Sequence, residues 1–318
     1  MLVDGKWTAD WDPVQAKDEQ GRFVRQVSRF RHWVTPNGEA GPTGDGGFEA
    51  EPGRYHLYVA LICPWASRTL MARKRKKLDD VISVSVVEPA LTDQGWRFGD
   101  FPGAGPDTLN GVTYLHELYT RADPDYTGRA TVPVLWDKKR ETIVSNESSD
   151  ILRMLNSAFD AFGDASIDLY PAALRDEIDA LNEAMYAKLN NGVYKAGFAS
   201  SQAAYEEAVT DVFVMLDSIE DRLLDGRPFL FGADLTESDI RLFVTLVRFD
   251  AAYHGLFKCN IRQLADYPAM LTYVERIYAL PGIPETVNLD HIKAGYYSIK
   301  ALNPSGIVPV GPRLQFAA

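Results

Sequence analysis

The chain has 318 residues, of which 46% are hydrophobic and 24% charged, and carries a formal net charge of −11. That length exceeds what one hydrophobic core usually fills, so two domains are expected, and the ordinary composition leaves disorder only near the ends. The acidic balance argues against broad binding to nucleic acid or anionic membranes, which needs a basic surface, and points to small-molecule partners.

The first residues, Met1-Leu2-Val3-Asp4-Gly5-Lys6-Trp7, lack the basic start and apolar run of a signal peptide. No window approaches the roughly 18 apolar residues of a membrane span. Two cysteines, Cys63 and Cys259, do not make a secreted disulfide framework, so a soluble protein of the reducing cytoplasm is expected. Residues 1–50, rich in Gly, Asp and Pro and carrying Phe23, Phe30, Trp33 and Phe48, read as an ordered but mostly irregular extension.

An apolar strand over 55–61 runs into Cys63-Pro64-Trp65-Ala66, where a helix opens and continues to about Lys77. Pro64 suits the first helical position, because its missing N–H has no intrahelical partner there. Backbone N–H groups and the positive end of the helix dipole stabilise a thiolate at Cys63, the form that attacks electrophilic sulfur or carbon. A dithiol motif would place its second cysteine at 66, which is Ala. A resolving thiol must therefore come from outside, which points to a small thiol such as glutathione. A lone cysteine is also often a small buried apolar residue; strand, Cys-Pro, helix favours the chemical reading. The cluster Arg73-Lys74-Arg75-Lys76-Lys77 complements the dipole at the helix end and reads as a solvated terminus.

Val81–Val87 reads as a β-branched strand, parallel to the first through the helical crossover. Residues 90–113, Gly- and Pro-rich and holding Trp96, read as a functional loop or lid. Thr131–Asp137 and Glu141–Ser145 form a hairpin around Lys138-Lys139-Arg140, and Pro133 inside it implies an edge, a bulge or a cis bond beside a site. Capping residues in Ser145–Asp150 precede an amphipathic helix at Ile151–Leu155. The order is β, α, β, loop, β, β, α. A linker over 156–173 leads to helical spacing from Leu174 onward, so the second half is all-α. Within it Thr236 and Asp239 make a helix start that serves folding and not catalysis. The tail from Leu302, with Pro304, Pro309 and Pro312, cannot continue a helix.

This α/β-plus-all-α plan, with Cys63-Pro64-Trp65-Ala66, resembles the xi-class glutathione S-transferases, the glutathionyl-hydroquinone reductases, from about Arg54 to Tyr297. The resemblance implies an irregular extension over 1–50, a thioredoxin-like glutathione-binding domain over 51–160, and an all-helical domain with an aromatic pocket over 161–318. It implies that Cys63 is catalytic through a mixed disulfide with glutathione, held by Trp96, Arg129, Val132, Glu147 and Ser148, with a cis bond at Pro133. Tyr194, Tyr253 and Tyr296 would line the second-substrate pocket, Tyr194 and Tyr296 bonding the hydroquinone oxygens and protonating the departing ring; Tyr297 and His254 are weaker neighbours. A homodimer is implied as well. An omega-like thiol transferase, a dehydroascorbate reductase and a non-enzymatic glutathione-binding module remain as alternatives. Neither zinc-ligand spacing nor a nucleotide-binding glycine motif occurs and the five histidines are scattered, so no metal and no cofactor beyond glutathione is expected.

Overall fold

The computed structural model describes residues 1–9 and 17–312. Contacts divide them into two compact units: 1–9 with 26–168, and 17–25 with 169–312. The described residues of 1–50 are thus shared between the two units.

The first unit is built on a four-stranded sheet. After a hairpin of β1 (Leu2–Val3) and β2 (Lys6–Trp7) come β3 (Tyr55–Val59), α1 (Pro64–Arg75), β4 (Ser83–Val86), α2 (Leu115–Ala122), β5 (Val134–Asp137), β6 (Thr142–Ser145) and α3 (Ser148–Ser157). The sheet order is β4-β3-β5-β6, with β3 parallel to β4 and antiparallel to β5. Every residue of β3 and β5 is buried, which fits central strands covered on both faces. Gly5 makes the β1–β2 turn at φ +70°, where a Cβ would lie 1.8 Å from the Pro124 carbonyl oxygen; only glycine fits.

Three sequence expectations change here. A helix, α2, follows the loop over 90–113 and joins the expected order. It buries Leu115, Leu118 and Tyr119, spaced i, i+3, i+4, and Glu117 Oε1 accepts from the Tyr114 and Thr113 amides at 2.7 and 3.1 Å. Its N-cap is a tyrosine, which hid the start. The fifth strand begins at Val134, so Pro133 precedes the ladder and costs it no donor; the Val132–Pro133 bond is cis. The basic cluster is only half solvated. Lys76 is 1% exposed and donates to Asp160 Oδ1 at 2.8 Å and to the Ile167 carbonyl at 2.6 Å, while buried Arg73 reaches the Ile82 carbonyl at 2.6 Å. These cations end the helix as expected, but they also staple it to the following loops.

The second unit is helical: α4 (Arg175–Met185), α5 (Gly192–Gly197), α6 (Gln202–Leu223), α7 (Glu237–Arg248), α8 (Pro268–Tyr278) and α9 (Leu289–Tyr297), with π-helical turns at Tyr186–Asn190 and Phe249–Tyr253. All of α7 is buried, as expected of a helix surrounded by others. Asp239 in its first turn accepts from the Leu230 and Thr236 amides and the Thr236 hydroxyl, each at 2.8 Å, and from the Tyr273 hydroxyl at 2.9 Å. This capping box is structural, as its sequence suggests. No helix among the described residues is long and apolar enough to cross a membrane.

Candidate active site

In the first unit the site grows from the turn between β3 and α1. Cys63 is the N-cap of α1 in extended conformation (φ −78°, ψ 118°), with Pro64 next in the first helical position. Its carbonyl accepts from the Ser67 amide at 3.0 Å and the Ser67 hydroxyl at 3.1 Å, so Ser67, absent from the sequence reading, pins the first turn. The side chain is half-buried and neither cysteine is in a disulfide. One turn on, the Arg68 guanidinium lies 4.4 Å from the centre of the Trp65 ring. Cys259 is fully buried and its thiol is pushed up to about 12 by desolvation, which leaves it inert at neutral pH.

The Cys63 sulfur lies 3.7 Å from the Val132 carbonyl oxygen, so the structure brings these two predicted residues together. A polar core behind Val132 sets its backbone. The buried Tyr119 hydroxyl donates to the Thr131 carbonyl at 2.7 Å and accepts from the Thr131 amide and from Asn146 Nδ2, both at 3.1 Å. Neither Tyr119 nor Asn146 was singled out by sequence, because each acts through a neighbour distant along the chain.

Glu147 is the N-cap of α3 and Ser148, buried, its first residue. Glu147 Oε1 accepts from the Ser149 amide at 3.2 Å, and Oε2 accepts from the Ser28 hydroxyl at 3.0 Å. Residues 26–31 thread along this edge: Gln26 Oε1 accepts from the Arg129 amide at 3.3 Å, Asn146 Oδ1 from the Phe30 amide at 3.3 Å, and Arg31 pairs with Asp150. Desolvation raises the Asp150 carboxyl above its ordinary range despite that pairing. No sequence signal linked Ser28 or Gln26 to residues more than a hundred positions away. Arg129 is half-buried, its carbonyl accepting from the Tyr126 hydroxyl at 3.1 Å. Trp96, also half-buried, sits in a loop tied to α2 by its own carbonyl, which accepts from the Leu115 amide at 2.9 Å, and to β2 by Trp7 Nε1, which donates to the Asp93 carbonyl at 2.9 Å.

In the second unit the three predicted tyrosines form one hydroxyl chain. Tyr194 and Tyr296 are 2.6 Å apart at their oxygens, and Tyr253 and Tyr296 2.8 Å. Tyr194 comes from α5, Tyr296 from α9, and Tyr253 closes the π turn after α7; such turns often mark functional sites. Phe257 stands edge-on to Tyr194 and Tyr296, and a Cβ at Gly197 would lie 2.4 Å from its ring, so glycine there makes room for it. Tyr253 and Tyr296 are buried, and desolvation first, then the neighbouring Tyr194, raises both hydroxyls well above the ordinary tyrosine range, against the pull of Arg248. The trio can donate and accept hydrogen bonds and carries aromatic faces. Among the described residues no group of His, Cys, Asp and Glu could hold a metal ion.

Family models for the glutathione S-transferase N-terminal and C-terminal domains match residues 62–158 and 202–276. The chain is 54% identical over 314 residues to the glutathionyl-hydroquinone reductase YqjG of Escherichia coli (strain K12), covering 98% of this chain and 95% of that one. The glutathione-bound structure of YqjG from Escherichia coli K-12 superposes with a TM-score of 0.91 at 50% identity, covering 100% of this chain and 97% of that one. The glutathione S-transferase Xi of Phanerochaete chrysosporium superposes with a TM-score of 0.88 at 47% identity, covering 93% and 95%. The chain belongs to the glutathione S-transferase family, in its Xi class.

Proposed function

We propose that the chain reduces glutathionyl-hydroquinones to hydroquinones with glutathione as reductant, through a mixed disulfide at Cys63. The observation that carries this reading is Cys63 itself, N-cap of a helix that starts with Pro64, with Ala66 where a resolving cysteine would stand. First-turn N–H groups and the helix dipole favour its thiolate. The thiolate attacks the glutathione sulfur of the substrate; an S–S bond forms, the aryl C–S bond breaks, and its electron pair goes to the ring carbon, which takes a proton. A second glutathione thiolate attacks the mixed disulfide, glutathione disulfide leaves, and the Cys63 thiolate returns. One glutathionyl-hydroquinone and one glutathione thus give one hydroquinone and one glutathione disulfide.

Residues 51–160 form the glutathione-binding domain in this reading. The Val132 backbone pairs with the cysteinyl part of glutathione in the manner of an added strand. Glu147 takes the γ-glutamyl ammonium, its oxygens retaining acceptor capacity beyond the Ser28 and Ser149 bonds, and Ser148 at the start of α3 takes the carboxylate. Arg129 pairs with a carboxylate and Trp96 covers the tripeptide. Tyr194 and Tyr296 bond the hydroquinone oxygens and supply the proton, and Tyr253 backs them. The protein acts as a cytoplasmic homodimer, which sedimentation of the purified chain checks.

Reduced protein is mixed with glutathionyl-menadiol and glutathione, and free hydroquinone is followed for wild type and Cys63→Ser. Release that Cys63→Ser abolishes supports the reading. A wild type that binds glutathione yet releases nothing overturns it in favour of an omega-like thiol transferase, a dehydroascorbate reductase or a binding module.

A further inference from the structure

Arg25, in the part of the extension that belongs to the helical unit, is built into the tyrosine trio. Its Nε donates to Asn191 Oδ1 at 2.8 Å; Asn191 stands just before α5, and its side chain makes no cap to that helix. The guanidinium carbon lies 5.0 Å from the centre of the Tyr194 ring and 5.2 Å from that of Phe23, so the cation is held between two aromatic faces. Phe23 leans on Phe198 at 5.9 Å, and Phe198 on Tyr194 at 6.2 Å, which closes the frame. Arg25 Nη2 is shielded from solvent.

A cation over a phenol ring is attracted weakly to the neutral ring and far more strongly to the phenolate left when the hydroxyl gives up its proton. For the two buried members of the trio, desolvation disfavours the charged form and outweighs the pull of Arg248. They can still serve Tyr194. Once its oxygen is electron-rich, the Tyr296 hydroxyl donates into it across 2.6 Å and the Tyr253 hydroxyl donates into Tyr296 across 2.8 Å. The arrangement therefore gathers developing charge on Tyr194, under the guanidinium.

We propose that Arg25 is a positioning residue for proton transfer by Tyr194: held by Asn191, its guanidinium stabilises the charge that Tyr194 acquires as it protonates the departing hydroquinone ring. The inference rests on the roles given above to Cys63 and the tyrosines. In the step the Tyr194 O–H bond breaks and a C–H bond forms at the ring carbon that has lost sulfur, made from the electron pair of the broken C–S bond. The Tyr194 oxygen regains, through solvent, the proton that the second glutathione gives up when it ionises to attack the mixed disulfide.

The test uses the full-length protein as wild type, Arg25→Gln, Arg25→Lys and Asn191→Ala. Each is assayed with glutathionyl-menadiol and with the mixed disulfide of glutathione and 2-mercaptoethanol, whose thiolate leaves without needing a proton on carbon. Arg25→Gln is expected to lower kcat for glutathionyl-menadiol about tenfold with KM changed by less than about twofold, a loss within the range of a desolvated cation–π contact. Arg25→Lys restores most of it, Asn191→Ala falls between, and transfer from the mixed disulfide to Cys63 is unchanged in all. Unaltered kcat in Arg25→Gln, or equal losses on both substrates, overturns the proposal. Should Arg25→Gln fold poorly, Asn191→Ala decides, since it keeps the charge and releases its hold. A wild type that releases no hydroquinone removes the underlying reading and the proposal with it, whereas a working wild type with an unaffected Arg25→Gln removes the proposal alone.

Discussion

The Cys63 sulfur and the Val132 carbonyl oxygen lie 3.7 Å apart although 69 positions separate the residues, and the Tyr119 hydroxyl sets that approach by clamping both backbone groups of Thr131. Tyr119→Phe removes the clamp and leaves the Asn146 amide and the Thr131 backbone groups without this partner. The expected cost is about 1–3 kcal/mol of unfolding free energy, read as a lower urea midpoint. A roughly fivefold rise in KM for glutathione is expected beside it, from about 1 kcal/mol of lost positioning. Val132→Ala, which keeps the backbone, should leave KM nearly unchanged.

The two thiols should differ sharply in reactivity. Burial pushes the Cys259 thiol up to about 12, whereas Cys63 is half-buried at a helix N-terminus. Iodoacetamide at neutral pH should label Cys63 in the native protein and reach Cys259 only after unfolding, as peptide mass mapping reads out. Preloading with glutathione disulfide should protect Cys63. Native labelling of Cys259 would contradict this account.

Acid should weaken the first unit through His56. Its ring nitrogens lie 2.7 Å from the Ser83 hydroxyl and 2.9 Å from the Ser85 hydroxyl, and burial lowers its pKa from 6.5 to about 4. Above pH 6.5 the ring is neutral in both states and costs nothing. As pH falls from 6.5 toward 4, the unfolded chain takes up a proton that the folded one refuses, so stability drops by about 3 kcal/mol and then levels off. Urea midpoints measured between pH 7 and pH 4 should show this drop in wild type and lose that portion of it in His56→Gln.

Asp239 is fully buried and accepts from four donors. Asp239→Ala strands the Leu230 and Thr236 amides and the Tyr273 hydroxyl, at an expected cost of about 3–5 kcal/mol. The loss should appear as a lower Tm. Glutathione binding by the folded fraction should be unaffected, since α7 and the proposed glutathione contacts belong to different units. An unchanged Tm would show that the capping box is dispensable.

Sequence by itself determined the local features. Cys63-Pro64 is a helix start because thiol, proline and strand are consecutive, Thr236 and Asp239 cap α7 because they are three apart, and the shift to helical spacing after Leu174 marks an all-α half. Each of these depends on neighbours within a turn or two, which periodicity and capping chemistry expose. Tertiary structure decided what depends on distant partners. The burial of Lys76 by Asp160, the Ser28 hydroxyl on Glu147, the grip of Tyr119 behind Val132 and the seating of Arg25 over Tyr194 join residues from 12 to 169 positions apart. The helix α2 stayed hidden for a related reason: its N-cap is a tyrosine, and its short buried stripe gains stability by packing on β6. Such pairings form because burial in a common core makes an unpartnered polar group costly, and a linear pattern does not say which partner the fold will deliver.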